Sequence, residues 1–170
     1  MKKLLIVVDM QNDFVTGALG TKEAEKIVPN VKARIERAEK EGWDIWFTKD
    51  THGEDYLKTQ EGAKLPVEHC IRGTKGWEII DELKGYAEHV AEKPSFGSVD
   101  LAEAVKTGGY EETELIGLCT DICVVSNALL IKAVSPELPV AVSKNCCAGV
   151  TVKTHEAAIQ TMEMCQIEIR

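Results

Sequence analysis

Three residues with reactive side chains, Asp9, Lys93 and Cys123, each follow an apolar run of the sequence. Asp9 comes directly after LLIVV, Lys93 follows the run at residues 89–91 and precedes Pro94, and Cys123 ends the stretch GLCTDIC. Taken singly, each residue fits a structural role as a turn former, a solvated lysine or a buried thiol. Together, the acid can accept the thiol proton and the cation can hold the resulting negative charge. The set therefore predicts nucleophilic catalysis by Cys123.

The surroundings of Cys123 carry a second expectation. The stretch GLCTDICVV predicts a strand that turns into a helix within a few residues. A thiol in the first turn of a helix faces the positive end of the helix dipole, which lowers the thiol pKa and favours the thiolate. We therefore expect the pKa of Cys123 to lie below that of an ordinary cysteine.

A second group, Asp50, His52 and His69, has the residue types of a metal site. Asp50 and His52 form a D-x-H pair after the second apolar run, and His69 lies in the long non-periodic segment 51–74. Carboxylate and imidazole ligands together suit Zn, Mn or Fe(II) better than Ca or Mg. The group predicts one divalent metal ion, zinc before manganese or iron, with positions open for water or substrate. Whether Glu61 adds a fourth ligand is left open.

Apolar, β-rich runs alternate with helical patterns along the chain. The predicted strands are residues 4–8, 43–47, 89–91, 114–118, 139–142 and 166–169. The predicted helices are residues 23–41, 76–84, 99–107, 123–134 and 154–164, with glycine near several of their ends. This alternation implies parallel βαβ units. We predict an α/β fold, a doubly wound, mostly parallel six-stranded sheet with helices on both faces, in a single domain of residues 1–170.

The predicted sheet brings the reactive residues to one edge. In open parallel sheets, ligands bind outside the carboxyl ends of the strands, where the strand order reverses. The first three predicted strands lead to Asp9, Asp50 and Lys93, and the fourth runs into Cys119 and then Cys123. We therefore expect one crevice, to which adjacent strands contribute the acid, the lysine and the nucleophile.

Composition excludes several classes of function. The net charge of -8 leaves no basic stripe to neutralise phosphates, so nucleic acid is not an expected partner. No stretch approaches the roughly 20 apolar residues that a membrane span needs. The apolar run near the start is broken by Asp9 and Asp13 and is too short for a signal peptide. We expect a cytoplasmic protein that acts on a small molecule.

The remaining five cysteines have no comparable neighbours; they are Cys70, Cys119, Cys146, Cys147 and Cys165. In a reducing cytosol free thiols are the default, and most of these residues are expected to be buried. A redox role for Cys119 and Cys123 is a weaker alternative. Their C-x-x-x-C spacing differs from the C-x-x-C of thioredoxin-like motifs.

Five motifs spread over most of the chain carry a family resemblance: VVDMQNDFVTGAL, KDTH, HCIRGTKGWEI, EKPSFGS and GLCTDICV. Through them the sequence resembles the isochorismatase-like cysteine hydrolases, and within these the nicotinamidases, also called pyrazinamidases. The D-x-H pair and the distant histidine narrow the resemblance, because the isochorismatase and ureidoacrylate branches lack that metal site.

The resemblance implies a role for each matching residue. It implies Cys123 as nucleophile, Asp9 as general base, Lys93 as the nearby cation, and Asp50, His52 and His69 as metal ligands. It also implies an oxyanion hole formed by the backbone N–H groups of Cys119 and Cys123, with a cis peptide bond between Leu118 and Cys119. Phe14 would cover one face of a bound ring.

The implied activity is hydrolysis of a linear amide through a thioester, with nicotinamide giving nicotinate and ammonia in NAD salvage. The metal would bind the pyridine nitrogen, and a homo-oligomer is expected by analogy. One departure concerns residues 64–68, where nicotinamidases commonly place an aromatic residue that stacks on the pyridine ring. Two alternatives stay open: a hydrolase of another small carboxamide, and a non-catalytic module that binds a small molecule or a metal.

Overall fold

The computed structural model describes residues 1–170 and contains six strands, each overlapping a predicted one. The strands are β1 (Lys3–Val8), β2 (Asp44–Asp50), β3 (His89–Lys93), β4 (Glu112–Leu118), β5 (Val140–Ala148) and β6 (Glu168–Ile169). The helices are α1 (Asn12–Val15), α2 (Lys22–Lys40), α3 (Gln60–Lys64), α4 (Val99–Thr107), α5 (Val125–Val134) and α6 (Val152–Met164). None of the helices combines the length and the apolar character that a membrane crossing requires.

All six strands are parallel and form one sheet in the order β3-β2-β1-β4-β5-β6. The chain builds one half of the sheet outward from β1 and the other half outward from β4. The strand order therefore reverses between β1 and β4, which is where such sheets bind ligands. The predicted doubly wound fold is confirmed, and the sheet is parallel throughout.

Apolar side chains cover both faces of the sheet. Leu4, Ile6 and Val8 of β1 belong to a cluster with α4, α5 and α6, whereas Leu5 and Val7 belong to a cluster with α2. Successive residues of a strand point to opposite faces, so the run LLIVV fills two cores at once. Helices on both faces were predicted from the sequence, and this arrangement confirms them.

The helix predicted at residues 76–84 is wrong. This stretch pairs its backbone with the loop after β1: the Asn12 N–H donates to the Glu78 carbonyl at 2.9 Å, and the Ile80 N–H donates to the Met10 carbonyl at 3.0 Å. These bonds replace the i to i−4 bonds of a helix. The apolar residues of the stretch still face the α2 side of the sheet, and their spacing produced the misleading pattern.

Strands β1 and β4 approach closely where the strand order reverses. Gly117 of β4 lies opposite Val8 of β1 and has a φ of 114°, a conformation that favours glycine. A Cβ at Gly117 would clash with the Val8 carbonyl oxygen. A side chain at this position would therefore force apart the two strands that lead to Asp9 and Cys123.

Candidate active site

The carboxyl ends of the strands hold a buried group of three side chains. Lys93 Nζ lies 2.6 Å from Asp9 Oδ2 and 3.4 Å from Cys123 Sγ. Asp9 and Lys93 are 0% and 1% exposed, and Cys123 is 5% exposed. The structure thus brings together the three residues that the sequence singled out, in contact with one another and removed from bulk water.

Lys93 reaches this group from the edge of the sheet. Strand β2 lies between β3 and β1. The distance between β3 and β1 is therefore two strand spacings, or about 9.6 Å. The expectation that adjacent strands supply the acid and the lysine is therefore wrong. The long lysine side chain reaches across the end of β2 instead, and its tip is held because Nζ also donates to the Ser95 carbonyl at 3.1 Å.

The charges of Lys93 and Asp9 are set by burial and by each other. Burial alone lowers the pKa of Lys93, but the negative charges of Asp9, Cys123 and Asp50 outweigh it and raise that pKa above its ordinary value. Burial raises the pKa of Asp9, and the charge of Lys93 opposes that rise without cancelling it. Lys93 therefore keeps its positive charge, and the Asp9 carboxylate can accept and hold a proton.

Cys123 has a pKa well above its ordinary value, so the expected lowering is wrong. Burial is the main cause, the negative charge of Asp9 adds to it, and Lys93 opposes it. Burying a thiolate away from bulk water carries a desolvation cost, which a prediction from the helix dipole alone leaves out. The resting form of Cys123 is therefore the thiol, which needs a base beside it to become a nucleophile.

Cys123 lies in a wide, π-helical turn, Thr120–Val124, which joins β4 to α5. The buried Asn127 holds this turn: its side-chain amide donates to the Cys123 carbonyl at 2.8 Å and to the Phe96 carbonyl at 3.2 Å. The Asn127 side-chain oxygen accepts the Ser98 N–H at 2.9 Å. Sequence reasoning missed Asn127, although a lone amide in the apolar run CVVSNALLI was an available signal.

Cys119 lies at the start of the same turn, and the peptide bond between Leu118 and Cys119 is cis, as the family resemblance implied. Burial raises the pKa of Cys119 to about 12. All six cysteines are free thiols. Because thiol–disulfide exchange requires a thiolate, these environments give the redox alternative no support.

A second cluster of polar side chains lies beside the first and contains Asp50, His52, Glu61 and His69, whose ligand atoms all lie within 4.8 Å of one another. Asp50 Oδ2 is 3.0 Å from His52 Nε2 and 3.6 Å from His69 Nε2. Glu61 Oε1 is 3.7 Å and 3.6 Å from the same two nitrogens. Two imidazole nitrogens and two carboxylate oxygens converge as in a zinc-type site, and Glu61 is part of the group.

The imidazoles are held in a definite orientation. His69 Nδ1 lies 2.8 Å from the Val67 carbonyl, which can only accept a hydrogen bond, so Nδ1 carries a proton and Nε2 is the ring nitrogen that faces the cluster. The buried ring of Tyr56 packs against both His52 and His69. Its hydroxyl donates to the Leu65 carbonyl at 2.8 Å. The cluster is therefore oriented before any ligand binds.

A cavity of about 340 Å³ opens onto both groups. Its polar side is formed by Cys119, Cys123, Asp50, Glu61 and His69, and its apolar side includes Phe14, Leu19, Leu65, Phe96 and Ile122. Phe14 was expected here and lies 5.6 Å from the His69 ring, centroid to centroid. Phe96 was missed, because nothing in its sequence context separates a cavity wall from an exposed loop residue. A larger cavity, lined by paired charges, lies near the amino ends of the strands, away from this chemistry.

Gln11 is a further residue that sequence reasoning missed. Its side-chain oxygen accepts the Asp50 N–H at 2.7 Å, and its amide donates to the carbonyls of Asp50 and Trp77, both at 2.9 Å. Gln11 is buried and follows Asp9 by two residues, so it ties the end of β1 to the end of β2. A buried amide directly after an apolar strand was the available signal.

Two further histidines and two further cysteines lie outside the site. His89 is exposed on β3, and His155 Nδ1 lies 2.7 Å from the hydroxyl of Thr120. Cys146 and Cys147 are buried in β5 on opposite faces of the sheet. None of these four side chains lines the cavity beside Cys123.

The fold and the site define a doubly wound α/β protein with a thiol, a carboxylate and an ammonium group in the crevice at its switch point. The isochorismatase domain model matches residues 3–169. The chain belongs to the isochorismatase family of hydrolases.

Within that family the chain resembles nicotinamidases and pyrazinamidases. It is 30% identical over 172 residues to a probable inactive nicotinamidase of Arabidopsis thaliana, with 94% of this chain and 87% of the relative covered. It is 26% identical over 184 residues to the nicotinamidase/pyrazinamidase of Mycobacterium tuberculosis, with 98% and 97% covered. The structure of Pyrococcus horikoshii pyrazinamidase in complex with zinc is 29% identical with a TM-score of 0.86, covering 100% of this chain and 99% of that one.

Proposed function

We propose that the protein is a cysteine amidohydrolase that converts a small carboxamide, foremost nicotinamide, into its carboxylate and ammonia. One observation carries the proposal: Lys93 Nζ contacts both the Asp9 carboxylate and the Cys123 sulfur, at 2.6 and 3.4 Å, beside a cavity of substrate size. A nucleophile, a base and a lasting cation are the groups that acyl transfer from nitrogen to sulfur requires. Their burial strengthens the interactions among their charges.

In the first half of the reaction, Asp9 accepts the proton of Cys123 and the thiolate attacks the carboxamide carbon. The carbon–sulfur bond forms as the carbonyl double bond opens to an oxyanion. The oxyanion then collapses, the carbon–nitrogen bond breaks, and Asp9 returns the proton to the nitrogen, which leaves as ammonia. In the second half, Asp9 takes a proton from water as the resulting hydroxide attacks the thioester carbon. The carbon–sulfur bond then breaks, Asp9 returns that proton to the Cys123 sulfur, and the product acid leaves as its carboxylate after losing its proton to the solvent.

The negative charge on each intermediate must be stabilised by hydrogen-bond donors or by a positive charge. We assign the oxyanion to the backbone N–H groups of Cys119 and Cys123, a type of interaction that contributes about 3 kcal/mol per donor. Lys93 keeps its proton because Asp9, Cys123 and Asp50 raise its pKa. It therefore stabilises the thiolate and the Asp9 carboxylate in turn and takes no part in proton transfer.

The cluster of Asp50, His52, Glu61 and His69 fits a resident divalent metal ion. The donor set suits zinc, manganese or iron(II), and the zinc complex of the Pyrococcus horikoshii relative supports zinc. When bound, the ion would supply a Lewis-acidic position for a ring nitrogen and so orient a pyridine carboxamide. Asp50 Oδ1 lies 3.5 Å from Lys93 Nζ, so one carboxylate joins the orienting cluster to the reacting group.

The walls of the cavity support a flat aromatic substrate. Phe14 and Phe96 both line it and supply aromatic surface, while Leu65 lies in the stretch where nicotinamidases commonly carry a stacking aromatic residue. A planar ring bearing a carboxamide could place its nitrogen toward the metal cluster and its carbonyl toward Cys123. The aliphatic Leu65 favours a second candidate, in which another small carboxamide is the preferred substrate.

Ammonia release from a panel of carboxamides tests the proposal. The zinc-loaded protein should hydrolyse nicotinamide and pyrazinamide faster than benzamide, which lacks a ring nitrogen, and faster than acetamide. Cys123→Ala should lower turnover by about a thousandfold or more, and Cys165→Ala, which removes an exposed thiol, should leave it unchanged. If no amide yields ammonia above the Cys123→Ala background, the protein is a binding module and the proposal is wrong.

A further inference from the structure

Thr48 forms a closed pair of hydrogen bonds with Asp9. The Thr48 hydroxyl donates to Asp9 Oδ1 at 2.6 Å, and the same Thr48 oxygen accepts the Asp9 backbone N–H at 3.2 Å. Both residues are 0% exposed. Because a hydroxyl has one proton and its oxygen already accepts the Asp9 N–H, that proton is directed at Oδ1.

This pair makes the two oxygens of Asp9 unequal. Oδ1 is held by Thr48, whereas Oδ2 lies 2.6 Å from Lys93 Nζ and accepts no well-aligned hydrogen bond. Oδ2 therefore has a lone pair available on the side of the carboxylate that faces Lys93, whose Nζ also lies 3.4 Å from Cys123 Sγ. A proton on Oδ1 would instead point at the proton of Thr48, an arrangement of two donors that burial makes costly.

We propose that Thr48 is a positioning residue that confines the proton of Asp9 to Oδ2, so that each proton taken from Cys123 stays on the side of the leaving group. This inference rests on the proposed function. The thiol S–H bond breaks as the O–H bond forms at Oδ2, and the same proton passes to the departing nitrogen. Thr48 neither gains nor loses a proton; it prevents the carboxyl group from turning its protonated oxygen away.

The position of Thr48 separates this role from substrate binding. Thr48 lies on β2 and points to the same side of the strand as Asp50, two residues on, but it does not line the cavity. Its loss should therefore slow proton transfer without weakening substrate binding. A fall in kcat at constant KM identifies an interaction needed in the transition state.

The test compares Thr48→Val, Thr48→Ser and Thr48→Ala with a matched control, Thr113→Val. Thr113 is also fully buried in the sheet, but its hydroxyl has no hydrogen-bond partner. Thr48→Val should lower kcat for nicotinamide by about tenfold or more, with KM within about twofold of wild type. Thr48→Ser should stay within about threefold in kcat, and Thr113→Val should match wild type.

The Ser and Ala variants decide the question even if Thr48→Val fails to fold, because both lack the methyl group and differ only in the hydroxyl. Equal kcat values for these two variants would overturn the proposal. The rate of Cys123 alkylation by iodoacetamide, located by mass spectrometry, provides a readout that needs no amide substrate. If wild type hydrolyses no amide, the proposed function fails; slower alkylation in Thr48→Ala than in Thr48→Ser would then support a Thr48 effect on Asp9, and equal rates would overturn it.

Discussion

At the scale of single residues, burial decides what each ionisable group can do. Cys123 is kept as a thiol and Asp9 as a carboxylate that can take its proton, while Lys93 keeps its charge because the carboxylates of Asp9 and Asp50 lie beside it. The same desolvation that raises the thiol pKa strengthens every charge interaction in the crevice. The reactivity of the site therefore depends on all three side chains together and cannot be assigned to one of them.

Lys93→Met should slow Cys123 alkylation at neutral pH by about tenfold or more, whereas Lys93→Arg should retain most of the wild-type rate. Lys93 lowers the pKa of Cys123 against burial and against Asp9, so removing its charge raises that pKa further and reduces the thiolate fraction. The pH dependence of alkylation measures this shift. Lys144→Met, which removes an exposed lysine paired with Glu156, is the control. Superimposable profiles for Lys93→Met and wild type would make Lys93 a structural residue.

His52→Ala and His69→Ala should each lower zinc affinity by about a hundredfold or more and mainly raise KM for pyridine carboxamides. Each variant removes one of the two imidazole nitrogens that face Asp50 and Glu61. Elemental analysis after dialysis measures the metal content, and His89→Ala, which removes an exposed histidine, should retain full content. Full occupancy in either cluster variant would remove that histidine from the ligand set.

Residue types and spacing predicted which side chains would meet, because parallel strands carry their ends to one edge. Asp9, Asp50 and Cys123 were placed by that rule alone. Gln11 and Asn127 could not be, since their function is to hydrogen-bond backbone groups that come together only in the folded chain. The pKa of Cys123 was mispredicted for a related reason: desolvation depends on neighbours that are remote in sequence.

At the scale of elements, the sequence predicted which segments form strands and long helices more reliably than it predicted which segments pair with one another. Helix α4 was predicted within its observed bounds, because its apolar residues recur at helical spacing and Ser98 caps its first turn. Residues 76–84 have a similar apolar pattern, but they pair with the loop after β1. The spacing of apolar residues indicates which side chains are buried. It does not indicate which backbone N–H and C=O groups will hydrogen-bond to one another.

Gly117→Ala should lower the free energy of unfolding by about 3 kcal/mol or more, because it combines strain at φ 114° with a clash against the Val8 carbonyl. Gly42→Ala is the matched control: its φ is 73° but nothing lies within 4 Å of the added Cβ, so a loss of about 1 kcal/mol is expected. Urea unfolding of both variants measures the difference. Equal losses would mean that the close approach of β1 and β4 does not restrict Gly117.

At the scale of the whole molecule, a second buried charge network lies at the end of the sheet opposite the crevice. Glu114 of β4 is 1% exposed and accepts two hydrogen bonds from Arg34 of α2, both at 2.9 Å. It also accepts one from the Ser143 hydroxyl at 2.7 Å and one from Arg170 at 3.0 Å. One carboxylate thus joins a helix, two strands and the last residue of the chain.

Glu114→Gln should lower the free energy of unfolding at pH 7 by about 3 kcal/mol, because it leaves the largely buried Arg34 without its counter-charge. Glu41→Gln is the matched control, since Glu41 forms an exposed ion pair with Arg37, and it should change stability little. Urea unfolding at pH 7 compares the two variants with wild type.

The stabilities of wild type and Glu114→Gln should depend differently on pH. Burial alone would raise the pKa of Glu114, but hydrogen bonds from Arg34 and Ser143 and the charges of Arg34 and Arg170 lower it below its ordinary value of 4.5. A carboxyl group whose pKa is lower in the folded state stabilises the fold above that ordinary value, and the contribution is lost as the pH falls through the folded-state pKa. The gap in unfolding free energy between wild type and Glu114→Gln should therefore be constant above about pH 5 and shrink below pH 4.5. A gap that stays constant down to about pH 3 would mean that the charge of Glu114 is not what joins these elements.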